Sequence, residues 1–245
     1  NFYLLHVTAK NSLVEFGMEG SKLQDNDLET LTISSRQLLQ DIIKRIHEKF
    51  PKNPQHKFFA ISDTNYIINS IREQVLQKRI NLIVMGTKGT TDLKKLAIGS
   101  NAGNVITKVK CATMVVPENA KYKIPKEIVF PTSYRTHFKK RELSYLIDIS
   151  KRYNASIKIL HIVNEDGLDE KQLNGKKLLD EYFKDVNHSF HSLSQMPEAS
   201  AINCFVESRE SDMVAFVNRK HKFFESILTR PLVKEISFSS KVPIL

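Results

Sequence analysis

Cysteine is scarce in this chain: Cys111 and Cys204 are the only two among 245 residues. Two thiols so far apart cannot make a disulfide framework or a metal knuckle. The expectation is a pair of free thiols in a reducing cytoplasm. No stretch approaches the ~18 uninterrupted apolar residues of a membrane span, and none reads as a secretory signal. The net charge of +10 is not gathered into a basic tail or an arginine-rich helix. No motif of an RNA-binding sheet accompanies it, so a solvated basic surface is expected rather than a nucleic-acid site. Paired acids and bases, a Gly-x-Ser-x-Gly elbow and a P-loop Gly-Lys-Ser/Thr are all missing, which gives no support to efficient hydrolysis. No zinc signature is present, and His188 and His191 would fall on opposite faces of a strand.

What is there is ordinary in bulk and specific in one place. Hydrophobic residues make up 41% and charged residues 26%, as in a globular protein of one large or two ordinary domains. The run from Leu82 to Ser100 begins as an apolar strand, Leu82-Ile83-Val84-Met85. It passes into Gly86-x2-Gly89-x9-Gly99-Ser100. A buried strand that turns on glycines and leads into a helix is how a parallel-sheet protein makes a phosphate site. The same glycines also serve tight turns in any α/β protein.

The chain repeats itself. Asp212-Met213-Val214-Ala215-Phe216 lies under Asn81-Leu82-Ile83-Val84-Met85 at an offset of 131 positions (212 against 81). The same offset carries Cys111-Ala112-Thr113-Met114 to Val242-Pro243-Ile244-Leu245 without a gap. Upstream, His56-Lys57-Phe58 resembles His188-Ser189-Phe190, and Leu5-His6-Val7 resembles Leu160-His161-Ile162. Two copies of one architecture account for these matches. Pro117 and Pro125 bracket a polar linker, so the copies are expected at 1–120 and 126–245.

Strands alternate with helices in both copies. In the first, a strand at Tyr3 to Thr8 precedes a polar loop from Lys10 to Thr30, with room for a short helix. A helix from Ser35 to Phe50 is expected to bury Leu38, Ile42, Ile46 and Phe50, flanked by Leu39 and Ile43. Phe58 to Ile61 reads as a strand. Asp63 or Thr64 can cap the next helix, which buries Ile67, Ile68, Ile71 and Val75. A helix at Asn101 to Val109 and a strand at Ala112 to Val116 follow the motif. In the second copy, Ile128 to Pro131 and Ser156 to Ile162 read as strands around a helix from Lys139 to Tyr153. Such alternation implies parallel sheets covered by helices. Ser156 aligns with the first residue of copy one, so the counterpart of Glu127 to Ala155 is expected ahead of Asn1, roughly another 30 to 40 residues.

These residues together resemble the universal stress protein family, over nearly the whole chain as a tandem two-domain member. The glycine motif, the final Ala-Thr-Met-Val-Val-Pro strand, the Leu-His-Val strand and the Ile-Val-Phe-Pro-Thr-Ser opening of copy two carry the likeness. The resemblance implies two doubly wound, five-stranded parallel-sheet α/β domains of the adenine nucleotide alpha hydrolase-like kind, the first lacking its first strand and helix here. It implies ATP, or AMP or ADP, as ligand, with no metal beyond a nucleotide-associated magnesium. It also implies pairing through the last strand of each domain, Ala112 to Val116 against Val242 to Leu245, as an internal pseudo-dimer. A homodimer and an unidentified protein partner are further possibilities; a membrane is not.

Residue by residue, Met85 and Gly86 match the fourth-strand end where ribose and phosphates sit. Thr87, Lys88 and Gly89 match the following turn. Gly99, Ser100 and Asn101 match the helix start that holds phosphates. Val7 matches the second-strand end near the base. The family's first-strand acid would lie before Asn1 in copy one and is Ser133 in copy two. In copy two the 131 offset turns Gly86, Gly89, Gly99 and Ser100 into Val217, Lys220, Arg230 and Pro231. Phe223 and Phe224 add bulk nearby. Copy two is therefore expected not to bind, and the chain to act as a stress-response sensor or switch. The alternatives are a scaffold without nucleotide and a weak ATP-hydrolysing or self-phosphorylating enzyme. His6 and His161 are expected as core histidines, not catalysts.

Overall fold

The computed structural model describes residues 1–8, 25–87, 100–163, 167–217 and 241–245, with backbone alone for 25–31 and Ser100. It divides into two compact units, Asn1–Ile80 and Asn81–Leu245.

In the first unit, β1 (Phe2–Val7) pairs in parallel with β2 (Phe58–Asp63), Phe2 opposite Phe58 and Val7 opposite Asp63. Stacked rings reinforce the register: Phe2 on Phe58 at 4.9 Å and Tyr3 on Phe59 at 5.0 Å between centroids. Helix α1 (Asp25–Lys49) begins well before Ser35, inside the segment expected as a loop. Its packed line is Ser35, Leu39, Ile43 and Ile46. Leu38, Ile42 and Phe50, expected inside, are exposed. A two-stranded sheet is too narrow to cover more than one line of so long a helix. Helix α2 (Ile67–Lys78) buries Ser70 and Ile71. It starts after Tyr66 with no side-chain cap; Asp63 and Asn65 instead accept the amides of Asn65 and Tyr66, closing the turn ahead of it.

The second unit opens with β3 (Leu82–Gly86), then α3 (Ser100–Lys108) and β4 (Ala112–Val116), parallel to β3. Next come β5 (Glu127–Pro131), α4 (Lys140–Tyr153), β6 (Ser156–Val163), α5 (Glu170–Phe183), β7 (His188–Ser194), α6 (Glu198–Arg209) and β8 (Met213–Val214). The four later strands form one parallel sheet in the order β7-β6-β5-β8. Ile244 continues it beyond β8 as a parallel bridge to Val214. Ile128, Phe130, Ile157, Ile159, Leu179 and Phe183 are buried on one face of the sheet. Val129, Leu160, Ile202 and Val214 are buried on the other. Consecutive β5 residues thus alternate between two covered faces, as a central parallel strand requires.

Pairing shows the repeat directly. Ile83 faces Thr113, and Val214 faces Ile244, the same pair displaced by 131 positions (83 against 214). His6 faces Ser62, and His161 faces Ser192. That register corrects one detail: His188, not Phe190, corresponds to Phe58, because Phe2 and Ile157 are the matching partners across the strand pair. Ile244 also bridges antiparallel to Val115, with amide-to-carbonyl distances of 2.8 and 2.9 Å.

Candidate functional site

In parallel sheets, ligands sit beyond the carboxyl ends of strands, where the chain order reverses. Here the reversal is at β5, which has β6 on one side and β8 on the other. The repeat register makes β3 the first-copy counterpart of β8. Its carboxyl end is the sequence motif.

There Met85 is half-buried and Gly86 exposed, opposite Val115 and Val116. The amide of Thr87 donates to the carbonyl of Val116 at 3.2 Å. That amide is committed to the sheet, leaving the Thr87 hydroxyl for other partners. Helix α3 starts at Ser100 with no acidic residue in its first turn. Ala102, Gly103 and Val105 are buried, and Asn101 is exposed beside them. The first amides of a helix have no intrahelical acceptor and carry partial positive charge. An exposed strand-end glycine and an acid-free helix start fit a phosphate-bearing ligand. Val7 is half-buried at the end of β1, in the other unit. Lys88, Gly89 and Gly99 lie outside the described residues, as do Lys220, Phe223, Phe224, Arg230 and Pro231.

The carboxyl end of β5 is arranged quite differently. Thr132 extends the strand by donating its amide to Leu160 at 2.8 Å, and its hydroxyl accepts the amide of Tyr134 at 3.1 Å. Tyr134 adopts φ of 60°, in the left-handed region. This turn sends its ring back into the protein, where it is 3% exposed. The ring lies 4.6 Å from that of His161 and 6.2 Å from that of Phe190. Burial pushes the Tyr134 hydroxyl up to about 12.

Helix α5 closes the arrangement. A Cβ on Gly175 would run into the Tyr134 carbonyl oxygen, so only glycine permits this approach. Gln172 donates its side-chain amide to the Ser133 carbonyl at 3.2 Å. Asp169 caps α5 by accepting the Gln172 amide at 2.8 Å and pairs with Arg135 at 2.6 Å. The bond from the Gln172 amide, with Arg135 alongside, holds the Asp169 carboxyl below its ordinary range. His161 is buried, its Nδ1 bonded to the Thr132 carbonyl at 2.9 Å. Burial lowers its pKa, so the ring is neutral at pH 7. His6, its counterpart, is exposed.

Just past the end of β5, the protein's own tyrosine is thus turned in against β6 and β7. Sequence reasoning expected bulk there from Phe223 and Phe224 and overlooked Tyr134. The signal was available: a large aromatic directly follows Ser133, where an acid was expected. Among the described residues no group of histidines, cysteines and carboxylates is placed to hold a metal, and no helix is long and apolar enough to cross a membrane.

Residues 2–117, which include the whole glycine motif, match the model of the universal stress protein family. Residues 2–117 are thus a domain of the universal stress protein family. A universal stress protein from Archaeoglobus fulgidus DSM 4304 is similar in structure, with a TM-score of 0.66 at 16% identity over 99% of this chain and 85% of that one. A functionally unknown protein from Pseudomonas aeruginosa PAO1 gives 0.56 at 12% identity over 99% and 90%. A putative universal stress protein from Pseudomonas aeruginosa UCBPP-PA14 gives 0.51 at 13% identity over 87% and 81%. At these identities the likeness is one of fold. No curated protein sequence matches the chain. The universal stress protein match covers the copy that keeps its glycines and stops at Pro117, where the linker begins.

Proposed function

We propose that this universal stress protein binds an adenine nucleotide, ATP or its di- or monophosphate, in its first half. The family resemblance assigns Val7 to the base and Met85, Gly86 and Thr87 to the ribose and phosphates. Lys88, Gly89, Gly99, Ser100 and Asn101 hold the phosphate chain and any accompanying magnesium. The observation that carries this reading is Gly86, exposed at the carboxyl end of β3 within an intact motif. The absence of acid in the first turn of α3 supports it. Bound, the nucleotide supplies a concentration of negative charge; the chain's own residues do the recognition.

In this reading the second half does not bind nucleotide. Tyr134 supports that, because a large ring just past the end of β5 is turned in and buried against His161 of β6. The second half acts as a pairing domain for the first, a role supported by the Val115–Ile244 bridge. The protein works in the cytoplasm as a stress-response sensor or switch, passing the nucleotide state to a protein partner, and does no chemistry on the nucleotide. The test is extraction of the purified, denatured full-length protein. Adenine nucleotide released from the wild type and lost in Gly99→Val supports the proposal. A wild type without nucleotide, and without affinity for added ATP, favours a scaffold role.

A further inference from the structure

Outside the glycine motif, the face of the sheet that packs on α6 carries a serine, a histidine and a lysine in contact. Ser189 and His191 are two residues apart on β7, so both side chains rise from the same face. Lys158 on β6 is directly opposite Ser189 in the register. Lys158 Nζ donates to Ser189 Oγ at 3.2 Å, and Ser189 Oγ lies 2.8 Å from His191 Nε2. Glu127, 4.0 Å from Lys158, is engaged by Arg209 at 2.7 Å, so the closer contact of Lys158 is Ser189.

The direction of the proton follows from what each group can do. An ammonium only donates, so the serine oxygen accepts from Lys158. The hydroxyl's own hydrogen is then directed at His191 Nε2, which accepts it. Burial, with Arg209 and Lys158 nearby, lowers the His191 pKa, so the ring is neutral at pH 7. Phe205 of α6 holds that ring at 5.2 Å between centroids. Access comes from the edge: β7 is the outermost strand on its side among the described residues, and Ser189 and His191 are half-buried. The Ile157 amide donates to the Asn187 carbonyl at 2.8 Å, which sets the alternation along β7. The peptide groups of Ser189 and His191 turn toward β6, and the amide of Phe190 between them turns away from it. A hydroxyl directed at a neutral imidazole, with an ammonium and an outward amide beside it, has the parts of an acyl-transfer site.

We propose that Ser189 is a nucleophile toward activated carboxylic esters, with His191 as its base. Ser189 Oγ bonds to the ester carbonyl carbon while His191 Nε2 takes the hydroxyl proton. The bond from that carbon to the alcohol oxygen breaks, and the alcohol leaves with the proton from His191. Lys158 and the Phe190 amide supply donors for the negative charge that develops on the carbonyl oxygen. Water then releases the acid by the same proton path.

The test uses the full chain and butyl fluorophosphonate as a stand-in for the ester: the serine oxygen bonds to phosphorus and fluoride leaves. Mass spectrometry of the protein and its peptides should show one adduct per chain, on Ser189. His191→Gln should slow labelling about 100-fold, the size of a lost general base. Lys158→Gln should slow it about tenfold, the loss of one charge-assisted hydrogen bond. Ser192→Ala, on the opposite face of β7, should change nothing. The pH profile checks the same base without a variant: the wild-type rate should be level near neutral pH and fall below the ordinary histidine range. Labelled protein and Ser189→Ala should both lose the cleavage of p-nitrophenyl butyrate that the wild type shows. A wild type with no adduct on Ser189, or one that forms as fast in His191→Gln, would overturn the proposal. So would a rate that stays level through the histidine range, or ester cleavage undiminished in Ser189→Ala.

Discussion

At the scale of single residues, the chain spends few glycines, and some helix ends show the consequence. Helices α2, α4 and α6 end on Arg79, Asn154 and Glu210, with φ of 51°, 52° and 53°. Side chains other than asparagine tolerate that left-handed region poorly. Arg79→Gly is expected to raise stability by about 0.5–1 kcal/mol, the relief of strain less the added chain entropy. Thermal or urea unfolding reads it directly. Gly175 is the opposite case. A methyl group there meets the Tyr134 carbonyl, so Gly175→Ala should cost about 1–3 kcal/mol. It should also loosen Tyr134, seen as a fall of its raised hydroxyl pKa toward 10 in ultraviolet titration. An unchanged titration would mean that Tyr134 does not depend on the close approach of α5.

At the scale of elements, the start of β5 is held by a charged cluster. Glu127 accepts two bonds from Arg209, each 2.7 Å, and one from Ser211 at 2.8 Å. Lys158 stands 4.0 Å away. Burial alone would raise the Glu127 pKa, but the bonds from Arg209 and Ser211 outweigh it and the net shift is downward. A carboxyl with a depressed folded pKa stabilises at neutral pH, and loses that contribution as pH falls through its folded value. Glu127→Gln should therefore lower the melting temperature at pH 7. The difference should shrink as pH drops below the ordinary carboxyl range. A constant difference down to pH 2 would assign the loss to packing instead. Much at this scale was legible in the sequence. Apolar strand runs and an ungapped 131-residue offset placed β3, β4, β5 and β6 to within a residue or so. What stayed hidden depends on neighbours distant in sequence. The helix α1 has apolar residues on more than one face, and only its contact with β1 and β2 selects Leu39 and Ile43 over Leu38 and Ile42. The motif residues were legible as types at a spacing. The commitment of the Thr87 amide to Val116, and the inward turn of Tyr134, follow from strand register and backbone angle.

At the scale of the whole molecule, the second unit is closed by its last residues. Ile244 is 3% exposed and lies between Val214 on one side and Val115 on the other. One residue thus joins the strands before and after the linker. Ile244→Pro removes the amide that Val115 accepts at 2.9 Å. It should cost about 3 kcal/mol, as proline inside a sheet does in losing a donor and clashing. Amide exchange at Val115 should rise with it. The duplication has kept this framework while the equivalent strand ends have diverged: Gly86 is exposed at the end of β3, and Val217 stands at its position in the second copy. The central claim is that a chain with two such frameworks carries one working nucleotide site. Isothermal titration of the full-length protein with ATP tests it most directly. One ATP per chain, lost in Gly99→Val and retained in Tyr134→Phe, is the predicted result. Two ATP per chain, or binding that survives Gly99→Val, would contradict it.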